Sequence, residues 1–177
     1  RELSPEEAAR SHPVQLNGIV TWADQVADFF FVHDTSGGVL VFQPAVRDDK
    51  IVTGVKVTLA GTSAPGKFTP VVLAGSVSAG ARLDLPEAKQ VTLEQALTGI
   101  EDSQWVAMRG YVRQVTQDGH WGVLELTTSA GEFSARLNWG ETLAGLRGSV
   151  VQLRGVCSGV TNAKKQTIGM QLWVPSA

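Results

Sequence analysis

The 177-residue chain has little of several residue types: one cysteine, one tyrosine, two methionines and three histidines. The lone Cys157 excludes an internal disulfide framework and any zinc site built on several thiolates. No apolar run approaches the roughly 20 residues that span a bilayer, so the chain is expected to make no membrane contact of its own. An excess of one charge is missing too. Fifteen basic and 17 acidic side chains leave a formal charge of -2 and a pI near 5.9, which disfavours a simple cationic nucleic-acid binder. What is present is a folding composition, 43% hydrophobic and 18% charged with a mean hydropathy of +0.03. That much apolar side chain offsets chain entropy by burial, which excludes disorder. Nineteen glycines among many valines predict short strands joined by tight turns.

The chain repeats itself. Val14-x-Leu16-x-Gly18-x-Val20 returns 92 residues later as Val106-x-Met108-x-Gly110-x-Val112. Gly54-x-x-Val57-x-Leu59-x-Gly61 returns 94 residues later as Gly148-x-x-Val151-x-Leu153-x-Gly155. Both pieces alternate with period two, the mark of half-buried strands. Each copy opens on a helix start. Ser4-Pro5-Glu6-Glu7 and Thr92-Leu93-Glu94-Gln95 both have capping-box form, in which side chains satisfy the orphan amides of the first turn. The boundary falls between Glu87 and Gln90, giving units 1–89 and 90–177.

Within the first unit the pattern predicts strands at 14–23, 29–34, 38–43, 55–62 and 70–78. In the second it predicts 105–116, 121–127, 132–138, 149–156 and 167–174. Ser36-Gly37-Gly38, Gln117-Asp118-Gly119 and Ser129-Ala130-Gly131 punctuate them as sharp turns. Five short strands with a long first one suggest a small closed barrel, since closure removes exposed edges. The expected architecture is all-β: two tandem five-stranded barrels, each preceded by a short α-helix.

The Val-x-Leu-x-Gly-x-Val strand, then Phe30-Phe31-Val32-His33-Asp34 leading to Ser36-Gly37-Gly38, then Gly-x-x-Val-x-Leu-x-Gly resembles the strand order of the OB fold. The turn after the second strand is similar to the Asp-x-Ser/Thr-Gly of anticodon-binding OB domains. The second unit departs from it, with Thr127-Thr128-Ser129-Ala130-Gly131. The paired layout resembles the tandem OB-like repeats in the extracytoplasmic N-terminal regions of some bacterial sensor histidine kinases, with Gln104-Trp105-Val106 and Asn162-Ala163-Lys164-Lys165-Gln166 looking typical of the second repeat. The resemblance implies a sensor module of a signal-transduction receptor in the periplasm.

Catalytic signatures fail one by one. Gly61-Thr62-Ser63-Ala64-Pro65-Gly66-Lys67 has the spacing of a phosphate-binding loop. Phe68 follows where Ser or Thr is needed, and a strand-like run follows where a helix is needed. His12, His33 and His120 have no partner at metal-ligand spacing. Cys157, at the end of a strand, reads as a buried small hydrophobe. Asp48-Asp49, between Arg47 and Lys50, reads as a solvated cluster, because nothing there splits two carboxyl pKa values. A non-enzymatic protein without cofactor or metal is expected.

OB barrels bind ligands across the outer face of strands two and three, between the strand 1–2 and 4–5 loops. Side-chain alternation puts Phe30 and Val32 inside the first barrel. Phe29, Phe31 and His33 then lie outside with Leu40 and Phe42, and Lys67 is the nearby cation. In the second unit Trp121, Glu125, Arg136 and Asn138 face out, and Asn162, Lys164 and Lys165 occupy the 4–5 loop. Trp22, Trp105, Trp139 and Trp173 read as packing residues. Residues 1–88 carry 7 basic and 10 acidic side chains, and 89–177 carry 8 and 7, a mild polarity rather than a basic stripe. The leading expectation is a recognition or sensor module for a small ligand or protein partner. The alternative is a single-stranded nucleic-acid-binding OB protein, whose affinity falls with salt and is lost when Trp121, Lys164 and Lys165 are replaced.

Overall fold

The computed structural model describes residues 3–24, 26–43, 49–162 and 167–175. The chain divides into two compact units, Arg1–Glu87 and Ala88–Ala177. No helix among the described residues is long and apolar enough to cross a membrane.

The first unit opens on α1 (Pro5–Ala8), a single turn held by the capping box: Ser4 Oγ accepts from the Glu7 amide at 3.2 Å, and the Glu7 carboxylate accepts from the Ser4 amide at 3.0 Å. The backbone hydrogen bond from Ser4 holds the Glu7 carboxyl below its usual value. Five strands follow: β1 (Pro13–Ala23), β2 (Phe29–Asp34), β3 (Gly37–Phe42), β4 (Val55–Ala64) and β5 (Val71–Arg82). They close into a barrel in the order β1-β2-β3-β5-β4, with β3–β5 parallel and the other pairs antiparallel. This is OB-type connectivity. Ser63 fastens α1 to the barrel, donating to the Ala8 carbonyl at 3.0 Å and accepting from the His12 amide at 3.0 Å.

Alternation fills the interior. Val55, Val57 and Leu59 are buried while Lys56, Thr58 and Ala60 are exposed. The buried residues join Val20, Phe30, Val32, Val41, Ile51 and Val72 in one core. Each fully buried side chain of this size contributes about 1.5–3 kcal/mol. A register shift between Val20 and Trp22 changes the alternation of β1, as a bulge does. Val20 pairs with inward Val32, and Trp22 pairs with Phe31, which is not part of the barrel core.

The second unit contains β6 (Lys89–Gln90), α2 (Leu93–Leu97), β7 (Trp105–Asp118), β8 (Trp121–Thr128), β9 (Gly131–Asn138), α3 (Glu141–Ala144), β10 (Val150–Thr161) and β11 (Thr167–Trp173). It is a six-stranded sheet in the order β10-β11-β9-β8-β7-β6, with an additional β10–β7 pairing, where the sequence pattern predicts a five-stranded barrel. The added strand β6 is two residues long, too short to show alternation, and pairs in parallel with Val106 and Ala107. The pattern also misses α3, whose N-cap Gly140 offers no side-chain cap. Leu143 of α3 closes over Gly122, where a Cβ would lie 2.4 Å from Leu143 Cδ1. The core gathers Leu93 and Ala96 of α2 with Val106, Met108, Leu124, Leu126, Phe133, Ala135, Cys157, Met170 and Leu172.

The sequence repeat is a repeat of pairings. Val14 opposes Gly61, Leu16 opposes Leu59 and Gly18 opposes Val57. Val106 opposes Gly155, Met108 opposes Leu153 and Gly110 opposes Val151. Gly54 and Gly148 both adopt positive φ, +86° and +85°, which explains why both repeats place glycine there. Their amides donate to equivalent carbonyls, Val20 at 2.8 Å and Val112 at 2.9 Å.

Candidate functional site

On the first unit, the residues that alternation sends outward form an aromatic cluster centred on Phe29. Its ring stacks on Trp22 at 5.3 Å, meets Phe31 edge-on at 5.9 Å and lies 6.1 Å from Phe42. Trp22 also contacts Phe31 at 6.1 Å. Such pairs add about 0.5–1.5 kcal/mol each beyond burial. Phe31 does not offer a free ring as expected: it is only 2% exposed, and Trp22 beside it 1%. Phe29, His33, Leu40 and Phe42 are half-buried, and Leu73, the partner of Phe42 on β5, is exposed. Lys67 is exposed and lines a small hollow with Leu3, Pro5, Ala8 and Phe68, none of them members of the cluster.

The equivalent face of the second unit has different chemistry. Trp121 on β8 contacts Trp173 on β11 edge-on at 5.7 Å, and the His120 ring lies 4.2 Å from Trp121. Asn138 is the cross-strand partner of Trp121, and Arg136 is the partner of both Val123 and Trp173. The Arg136 guanidinium donates to Asp118 Oδ2 at 2.9 Å; its side chain is 28% exposed and that of Asp118 is 65%. An ion pair this exposed contributes about 0–1 kcal/mol, so a phosphate can replace Asp118 as its partner at small cost. The face therefore combines two half-buried indole rings, an arginine and an exposed amide. Rings of this kind stack on bases, arginine matches phosphate oxygens in bidentate fashion, and an amide reads base edges. Trp173 and His120 are members that sequence reasoning missed. Trp173 reads as packing by residue type, although its strand alternation against buried Leu172 carries the outward signal. Trp139, expected to pack, is 37% exposed. Trp22 and Trp105 are buried. Asn162 is half-buried at the end of β10, and Lys164 and Lys165 lie outside the described residues.

Several sequence candidates resolve into structural roles. The Gly61–Lys67 stretch runs from β4 into the β4–β5 loop, and strand β5 follows it. Asp34 closes its own turn, accepting from the Ser36 amide at 2.7 Å, the Ser36 hydroxyl at 2.6 Å and the Gly37 amide at 3.2 Å. Burial pushes the Asp34 carboxyl up, and these hydrogen bonds together outweigh it, holding the group below its ordinary value. Cys157 is 1% exposed. Burial, then the nearby Asp102 and Glu101 carboxylates, push its thiol up to about 12, the opposite of nucleophile activation. No group of three or more His, Cys, Asp or Glu among the described residues could hold a metal. Asp49 and Lys50 are exposed, whereas Arg47 and Asp48 lie outside the described residues.

No protein-family profile matches the chain, and no curated protein matches it. Solved structures do resemble it. One is an aspartyl-tRNA synthetase from Leishmania major Friedlin, with 13% identity over 51% of this chain and 20% of that one and a TM-score of 0.40. Another is a murine DNA binding protein bound with double-stranded DNA, with 12% identity over 93% and 94% and a TM-score of 0.40. A third is the Ifi202 HINa domain in complex with a 20-base-pair duplex, with 9% identity over 94% and 95% and a TM-score of 0.43. At these scores the likenesses carry no functional argument, which has to come from the chain's own surfaces.

Proposed function

We propose that this chain is a non-enzymatic binding module that holds single-stranded nucleic acid on the outer face of its second unit. The observation that carries the reading is the Trp121–Trp173 pair at 5.7 Å with Arg136 beside it. Aromatic rings on which bases can stack, with a cation beside them, are what a strand of unpaired bases requires. The face lies on strands β8 and β9, the pair where OB-type domains take their ligands, and extends to Trp173 on β11. The β10–β7 pairing supports reading this unit as a second OB-type barrel that carries β6 as an addition. Acidic net charge keeps the phosphate contribution small, so stacking supplies most of the affinity.

The sensor-module reading gives way to this one, because it rests on resemblance and names no surface. The test is fluorescence anisotropy of a labelled oligothymidine of about 20 nucleotides, titrated with the chain at low and at physiological salt. Micromolar binding that weakens modestly with salt and drops in W121A and in W173A supports the proposal. Absence of binding at low salt refutes it.

A further inference from the structure

A second surface of the second unit has an unbalanced charge. On β7, Arg109, Tyr111 and Arg113 are exposed, and on β10, Val150, Gln152 and Arg154 are exposed. The two rows are adjacent: Arg109 opposes Gln152, and Tyr111 opposes Val150. Arg154 lies two positions along β10 from Gln152, which makes it the diagonal neighbour of Arg109, within reach of a long side chain. Arg113 is committed to Glu132, Lys89 to Glu101, and Gln152 to Gln90. The guanidinium groups of Arg109 and Arg154 make no ion pair or side-chain hydrogen bond among the described residues. Beside Arg109 runs an open groove of about 400 Å³ lined also by Thr92, Thr128 and Ser129, with Glu94 as its carboxylate.

Two arginines on neighbouring strands with no ion pair among the described residues, an exposed tyrosine ring and the Ser129 hydroxyl at the groove wall complement a chain of phosphates. The Thr92 and Thr128 hydroxyls are engaged by the Gln95 amide and the Gly131 carbonyl. Arginine is the side chain suited to bidentate phosphate contacts, and hydroxyls are common partners of backbone phosphates. We propose that the β7/β10 face is a second contact for nucleic acid, one that takes the sugar–phosphate backbone and not the bases. It differs from the Trp121 face in needing no base, and it stands whether or not that face stacks bases.

That difference supplies the test. The probe is an abasic oligodeoxynucleotide of about 20 phosphodiesters, compared with an oligothymidine of equal length and with polyglutamate of similar charge, all by anisotropy at low salt. The expected result is that the chain binds the abasic probe. R109E/R154E then weakens that binding about ten-fold or more and lowers its log–log salt slope by about 1.4. W121A/W173A leaves abasic binding unchanged. R109Q/R154Q, which removes charge without reversing it on exposed strand positions, follows in the same direction and guards against a folding defect. The proposal is overturned if the abasic probe does not bind, if the arginine variants bind it as the parent does, or if polyglutamate binds equally well. Failure of the stacking face reads out separately, as oligothymidine binding that ignores W121A/W173A.

Discussion

The two units use equivalent positions for opposite surfaces. Through the shared register, the outward cluster Trp22, Phe29, Phe31, Leu40, Phe42 and Leu73 corresponds to Gln114, Val123, Glu125, Ser134, Arg136 and Trp173. The first set is wholly apolar, and four of its rings pack on one another. The second keeps one ring, gains an arginine and a carboxylate, and recruits Trp121 from the start of β8. The packed rings leave Trp22 and Phe31 only 1% and 2% exposed, whereas Trp121 and Trp173 are half-buried beside an arginine. The common pairing scheme fixes where the equivalent outer faces lie, and under the proposed function the outward residues decide whether such a face takes a polar ligand.

Substitutions that separate the two units act from the backbone outward. The largest expected effect is on Gly61, whose added Cβ would meet the Leu73 carbonyl oxygen at 2.2 Å; at Gly155 the corresponding approach, to the Trp173 oxygen, is 2.8 Å. In urea unfolding, G61A should cost about 3 kcal/mol or more, and G155A less, since overpacking against backbone has no rotamer escape. Next come the rings. W121A or W173A should cost about 1–3 kcal/mol of oligothymidine affinity, while F29A/F42A should lower stability and leave that affinity unchanged. R136Q should reduce the salt slope by about 0.7. D118N, which frees Arg136, should tighten binding slightly.

The smallest effects are on titrating groups. D34A should destabilise the β2–β3 turn by about 1 kcal/mol. Because the Asp34 carboxyl is held below its ordinary value of 3.8, its contribution is present above that pH and is lost as pH falls through the lowered value. Cys157 works the other way. With the thiol raised from 9.0 to about 12, its contribution is complete below 9.0 and lost as pH climbs toward 12. Iodoacetamide at neutral pH should therefore modify it only after unfolding.

Much of this comparison was legible in the sequence because the repeat is a repeat of contacts. The 92- and 94-residue offsets reappear as Gly18–Val57 matched by Gly110–Val151, and period two correctly placed Phe30 and Val32 in the core. Legibility ended where structure depends on neighbours. A two-residue strand such as β6 has no period, and the uncapped turn α3 has no start signal. Phe31 reads as exposed by alternation, yet its burial is a tertiary fact. Trp173 is legible in parity, but its residue type points the other way, since tryptophan is more often packing.

In the proposed function, bases lie on β8, β9 and β11 of the second unit. Its most direct test is photo-crosslinking of an oligonucleotide carrying 5-iodouracil, followed by peptide mapping of the adducts. The account predicts adducts at Trp121 and Trp173, abolished when both are replaced by alanine. Adducts confined to Phe29, Phe42 or their neighbours in the first unit would contradict it.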